Sequence, residues 1–137
     1  MSVNPYILFN GNCEEAFKFY AHVTGGKIEM MMPHAGTPAE SHVPAEWQSK
    51  IMHARMTIGK SLLMASDAPP GRYSKPQGFS VSLQVATVAE GERIFNALAD
   101  GGKVGMAFQK TFWSAGFGMV VDRYDIPWMI NCDETLA

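Results

Sequence analysis

One predicted strand carries most of the chemistry visible in this sequence, His53-Ala54-Arg55-Met56-Thr57-Ile58. Side chains alternate along a strand, so His53, Arg55 and Thr57 share one face. Met52, Ala54, Met56 and Ile58 share the other and suit packing under a helix. Imidazole exchanges a proton near neutral pH, which makes His53 the candidate general base. A hydrogen-bonded histidine that supports the sheet is the plain alternative. Arg55 offers a bidentate fork to an anion, or pairs with a carboxylate across strands. Ser80, Ser82 and Gln84 alternate with Phe79, Val81, Leu83 and Val85 and repeat the polar-out arrangement. The polar side chains of the two strands thus mark a candidate surface around His53.

Other reactive residue types lack a pattern. His22, His34 and His42 have no metal-ligand spacing, and the two cysteines, Cys13 and Cys132, fit neither a zinc site nor a disulfide framework. Cys13 falls on the apolar side of a predicted helix and reads as a small buried hydrophobe. Asp67, just before two prolines, reads as a turn former. Gly116-Phe117-Gly118 lacks the third glycine of a dinucleotide loop, and no nucleophile elbow is present. The ten methionines serve as core filler or line an adaptable pocket. Trp128 shares the apolar face of Ile126 and Ile130, which turns Met129 the other way. Phe112-Trp113 reads as an aromatic wedge at a hairpin.

Composition narrows the class. The 137 residues fit one domain, and 47% hydrophobic content supports a sizeable core. Eleven basic and thirteen acidic residues give a net charge of −2 without a basic cluster, so neither nucleic acid nor an anionic membrane is an expected partner. No apolar run reaches the roughly 18 residues of a membrane span. The opening Met-Ser-Val-Asn-Pro has no basic segment followed by an apolar one, and a cytoplasmic location is expected.

The elements that must position these side chains come in two sets. Gly25-Gly26-Lys27-Ile28 reappears as Gly101-Gly102-Lys103-Val104, with Phe19 and Phe95, Ala21 and Ala97, and Met30 and Met106 matching at the same offset. Such an internal echo predicts two copies of one unit. Each opens with a strand, 5–9 and 79–85, followed by a helix. Capping boxes at Asn12/Glu15 and Thr87/Glu90 mark the helix starts. Cys13, Ala16, Phe17 and Tyr20 make one apolar stripe; Ile94, Phe95 and Leu98 make the other. The glycine pairs supply the left-handed residue that ends each helix. Strands follow at 27–32, 51–58 and 61–66, and at 103–109, 116–122 and 126–131, with turns at Gly59-Lys60 and Tyr124-Asp125. The stretch 33–48 is an irregular excursion. The modules are 1–68 and 78–137, linked by 69–77. One helix covers only one face of a four-stranded sheet, so each module keeps an open face. The polar residues of both open faces are expected to line a concave surface.

Several segments together resemble the PhnB-like branch of the vicinal-oxygen-chelate superfamily, the glyoxalase, bleomycin-resistance and dioxygenase fold. They are Pro5-Tyr6-Ile7-Leu8-Phe9, Ala16-Phe17-Lys18-Phe19-Tyr20, Ile51-Met52-His53-Ala54, Leu63-Met64-Ala65-Ser66-Asp67, Thr111-Phe112-Trp113 and Asp122-Arg123-Tyr124-Asp125-Ile126-Pro127-Trp128-Met129-Ile130-Asn131. The resemblance implies an α+β fold of two βαβββ modules with curved mixed sheets and cavities, and a homodimer. It also implies metal-ligand places at Pro5 or Tyr6, Met64, Ser80 or Ser82, and Met129. Divalent metals of this kind need imidazole or carboxylate donors, so no metal cofactor is expected at these places. Similar proteins carry a ubiquinone-pathway methyltransferase label, but no glycine-rich strand-to-helix turn cradles S-adenosylmethionine here.

Three functions follow. The first is a PhnB-like binding protein for a small organic molecule without the usual catalytic metal, with Tyr6, Arg55, Ser82, Gln84, Trp113 and Met129 lining the site around His53. The second is a metal-dependent lyase, isomerase or dioxygenase with a relocated site that uses His53 and a histidine of the excursion. The third is a protein that sequesters a drug between aromatic walls. A phosphonate ligand would want several cations, and only Arg55 is placed for it.

Overall fold

The computed structural model describes residues 1–135. The chain divides into two compact units, Met1–Ser74 and Lys75–Ala137. The first holds β1 (Tyr6–Phe9), α1 (Cys13–Thr24), β2 (Lys27–Pro33), β3 (Ile51–Ile58) and β4 (Ser61–Asp67). The second holds β5 (Val81–Val85), α2 (Val88–Ala99), β6 (Lys103–Gln109), β7 (Phe117–Val121) and β8 (Pro127–Cys132). Strand orders are β1-β4-β3-β2 and β5-β8-β7-β6, with β1 parallel to β4 and β5 parallel to β8. The other neighbours are antiparallel, so both sheets are mixed, as the α+β two-module expectation required. The excursion 33–48 contains two short 3-10 helices, Pro38–His42 and Ala45–Trp47.

Each helix lies where its apolar stripe directs it. On α1, Cys13, Ala16, Phe17, Tyr20 and Val23 are buried, as are Phe9, Ala54, Met56 and Ala65 of the sheet. Phe9 meets Phe17 edge-on at 6.2 Å between ring centres. On α2, Ile94, Phe95 and Leu98 are buried, as are Val120, Trp128 and Ile130. Each of these large side chains contributes about 1.5–3 kcal/mol on leaving water.

The paired glycines have separate jobs. Gly25 and Gly101 both take φ +75, the left-handed conformation that ends a helix without a Cβ penalty. Gly26 and Gly102 are needed for closeness instead. A Cβ on Gly26 would lie 2.7 Å from the Thr57 carbonyl oxygen, and one on Gly102 would collide with that of Val121.

The two helix starts differ from each other. Thr87 has extended backbone (φ −130, ψ 153) and its Oγ1 accepts from Glu90 N at 3.2 Å, the expected cap. Asn12, at φ −119 and ψ 25, does not fold its side chain back, and the expected Asn12 cap is absent. Its place is taken from across the fold by Asp67. Asp67 is not a turn former: it is 3% exposed, with Oδ1 accepting from Cys13 N at 2.9 Å and Oδ2 from Ile51 N at 2.8 Å. A full negative charge at a helix N-terminus answers both the unpaired N–H groups and the helix dipole.

Candidate functional site

With α1 on one face of the first sheet, the opposite face carries the predicted residues. Strand register aligns Tyr6, Met64, Arg55 and Met30 in one row across β1, β4, β3 and β2. His53 lies two residues along β3 from Arg55, and its Nδ1 is 3.2 Å from the Tyr6 hydroxyl, with ring centres 5.7 Å apart. The structure therefore joins Tyr6 to His53, a contact between residues far apart in sequence. Arg55 is exposed and makes no ion pair among the described residues, so the expected cross-strand carboxylate partner is absent. The nearby acid Glu29 instead accepts from Thr57 Oγ1 at 3.1 Å.

The second sheet repeats the row with different side chains, Ser82, Met129, Met119 and Met106. Beside it, Asn131 Nδ2 donates to Gln84 Oε1 at 2.8 Å, and Gln84 Nε2 donates to Ser82 Oγ at 3.3 Å. Met129 is turned away from buried Trp128, as alternation predicted. Trp113, half exposed, packs edge-on to Phe117 at 5.5 Å, and Phe117 is the register partner of Asn131. Phe112 projects beyond it, 90% exposed. Register and ring contacts thus join Ser82, Gln84, Met129 and Trp113 in one face of this unit. Tyr6, His53 and Arg55 belong to a face of the other.

A cavity of about 800 Å³ opens at the end of the second sheet. Its floor includes Met119, Met129, Val121 and Lys103, and its walls include Phe79, Lys75 and Arg123. Among the seven predicted site residues, only Met129 lines it. The three cations were missed. Lys103 had a signal, since it belongs to the repeated Gly-Gly-Lys segment, but Lys75 and Arg123 reach the cavity only through the fold.

Two buried polar residues hold this neighbourhood in place. Asp122 is 2% exposed: Oδ1 accepts from Tyr124 N at 2.8 Å and Ile126 N at 3.0 Å, and Oδ2 accepts from Trp128 Nε1 at 2.9 Å. Ser114 Oγ donates to the Gly116 carbonyl at 2.8 Å and steadies the turn that carries Trp113. In the first unit, burial above all, with the Asp67 charge second, pushes the Cys13 thiol far up, so it is an inert core residue.

Of the places that the resemblance implies for a metal, Tyr6 stands opposite Met64 and Ser82 opposite Met129 in the register, while Pro5 and Ser80 precede their strands. A phenol, two thioethers and a hydroxyl do not fit a hard or borderline divalent ion. Among the described residues, no three His, Cys, Asp or Glu side chains gather as a relocated metal site would require. His34 is buried, and its Nδ1 donates to the Lys50 carbonyl at 2.9 Å.

Comparison with known proteins agrees with this fold. A family model described as 3-demethylubiquinone-9 3-methyltransferase matches residues 1–131. Protein YjdN of Escherichia coli strain K12 is 37% identical over 139 residues, covering 96% of this chain and 95% of its own. Protein PA1353 from Pseudomonas aeruginosa superposes with a TM-score of 0.90 at 48% identity, over 98% of this chain and 99% of that one. A Bacillus cereus PhnB protein, a putative 3-demethylubiquinone-9 3-methyltransferase, gives 0.77 at 20% identity over 96% and 99%. A glyoxalase/bleomycin resistance protein/dioxygenase family enzyme from Burkholderia phytofirmans PsJN gives 0.59 at 18% over 95% and 94%. The last two likenesses show the fold alone. The chain belongs to the PhnB-like 3-demethylubiquinone-9 3-methyltransferase family, on the fold of the glyoxalase, bleomycin-resistance and dioxygenase proteins.

Proposed function

We propose that the protein binds a small organic molecule on its open sheet faces, without the superfamily's catalytic metal. The observation that carries this reading is the Tyr6–His53 pair beside the Arg55 guanidinium, which has no ion pair among the described residues. Polar groups left on an open face, rather than satisfied in the core, are available to orient a ligand. Arg55 supplies charge and a flat donor fork, while Met64 and Met30 supply adaptable apolar contact. In the second unit Ser82 and Gln84 supply neutral polar groups, and Met129 and Trp113 supply apolar contact. Where chemistry follows binding, His53 moves the proton. In the tautomer whose Nδ1–H donates to the Tyr6 oxygen, Nε2 is left to accept one; in the other, Tyr6 donates to Nδ1 and Nε2–H is the donor.

The family description names a methyl transfer, and the residues present do not fit the donor S-adenosylmethionine. Neither strand-to-helix turn is glycine-rich. The first N–H of α1 is held by Asp67, and that of α2 by Glu134 Oε2 at 2.9 Å.

The aromatic pair Phe112 and Trp113, with ring centres 4.8 Å apart and both exposed, favours drug sequestration as a second reading. A homodimer is supported by edge strand β6, whose Val104 and Met106 are exposed. A cytoplasmic location belongs to the same proposal, in keeping with the two free, buried cysteines. Among the described residues, no helix is long and apolar enough to cross a membrane.

A thermal-shift screen of metabolites and antibiotics tests the proposal. A ligand at 100 times its Kd adds about 2.7 kcal/mol of stability. For a ligand of the first unit's face, the shift is expected to disappear in His53→Ala and Arg55→Ala. A screen in which no ligand's shift depends on either residue overturns the assignment of that face, and stoichiometric Zn, Ni, Mn or Fe that His53→Ala removes overturns the metal-free reading.

A further inference from the structure

We propose that the cavity at the end of the second sheet takes an amphipathic monoanion, its charged head at Lys103 and its apolar body over Met119 and Met129. The inference rests on the reading of the protein as a small-molecule binder and adds the place and the ligand class.

The charges around the cavity decide the sign. Lys75, Lys103 and Arg123 line it together with two acids, Asp122 and Asp125. Asp122 is buried, and both its oxygens accept hydrogen bonds from the hairpin and from Trp128. Asp125 lies 3.7 Å from Lys75 Nζ, and Arg123 donates to Asp100 at 3.3 Å. Lys103 has no ion-pair partner among the described residues. Lys103 is therefore the one cation of the lining, among the described residues, that no carboxylate meets at ion-pair distance.

The shape decides the rest of the ligand. Lys103 is the register partner of Val121, and Val121 that of Pro127, so the three form one row on the floor. Met119 and Met129 form the next row, and Phe79 borders the cavity from the segment leading into β5. A ligand lying across both rows puts one end at the ammonium and the other on thioethers and a ring. About 800 Å³ holds a molecule of ordinary metabolite or drug size. A dianion or an inorganic phosphate would want more free cations and less apolar floor.

Isothermal titration of the full chain with octanoate, 1-octanol and octyltrimethylammonium tests head charge at constant tail. Octanoate is expected to saturate one site, with 1-octanol roughly tenfold weaker and the ammonium compound without saturable binding. Lys103 is exposed, so Lys103→Gln keeps the fold, weakens octanoate roughly tenfold and leaves 1-octanol unchanged. Equal affinity for octanoate and 1-octanol, or equal octanoate affinity in the Lys103→Gln chain, overturns the proposal. Inorganic phosphate binding with comparable affinity does the same. His53→Ala separates this idea from the wider one. Octanoate binding is expected to survive it, whereas a ligand of the Tyr6–His53 face is lost. A chain that shifts with a metabolite in a His53-dependent way yet ignores all three amphiphiles sinks only the inference.

Discussion

The two units share one backbone plan and place a buried carboxylate in opposite ways. In the first, Asp67 is a long-range clamp: it joins the end of β4 to the start of α1, 54 positions away, and to the start of β3. In the second, Asp122 works within its own hairpin, on residues two to six positions ahead. The start of α2 is left to Thr87 and the exposed Glu134. The contrast teaches that matching topology does not fix how a unit satisfies its buried N–H groups. One unit does so through tertiary contact, the other through local turns.

Substitutions sharpen that contrast. Asp122→Ala is expected to cost the most, about 4 kcal/mol in urea unfolding, because three donors including the Trp128 indole lose their acceptor. Asp67→Ala follows at about 3 kcal/mol, with two buried N–H groups orphaned. Kinetics should separate the pair. A local hairpin contact forms early and a long-range clamp late, so Asp122→Ala mainly slows folding and Asp67→Ala mainly speeds unfolding. The same chevron change for both would break the distinction. The buried thiol next to Asp67 gives a pH signature. The Cys13 pKa is raised in the folded chain, so its contribution is fully present below the ordinary thiol value of about 8.5. Above that value the unfolded chain ionises first, and stability falls by up to about 1.4 kcal/mol per pH unit. Cys13→Ala should flatten that decline in unfolding experiments run from pH 7 to 10. Smallest is Thr87→Ala, about 1 kcal/mol, because the cap is exposed and Glu134 remains. A Thr87→Ala cost equal to that of Asp67→Ala would erase the difference between the helix starts.

Local pattern made the elements legible. The Phe79–Val85 alternation, the stripe of Cys13, Ala16, Phe17 and Tyr20, and the two Gly-Gly pairs each act within a few residues, so the sequence shows them directly. The faces of β3 followed from the same period, and with them the exposure of Arg55. Asp67 was misread because its partners, Cys13 N and Ile51 N, become neighbours only after β4 takes its register. Asn12 looked like a cap by type, yet its backbone angles exclude that use. The Tyr6–His53 contact and the cations Lys75 and Arg123 were equally hidden, since strand pairing and hairpin closure bring them together. Lys103 stood in plain view within the repeated segment, but nothing local marked it as uncompensated.

Asp125 is the one non-glycine residue with positive φ among those described, at +68, and its carboxylate lies near Lys75. The turn thus tolerates a conformation easier for glycine or asparagine while also tethering the segment that walls the cavity. Both partners of that tether are more than half exposed, so salt screens it and it adds little to stability. The Lys75 wall of the cavity therefore rests on a weak tether, beside a floor fixed by strand pairing. Rising ionic strength should widen the range of ligand girths admitted before it disturbs the sheet beneath.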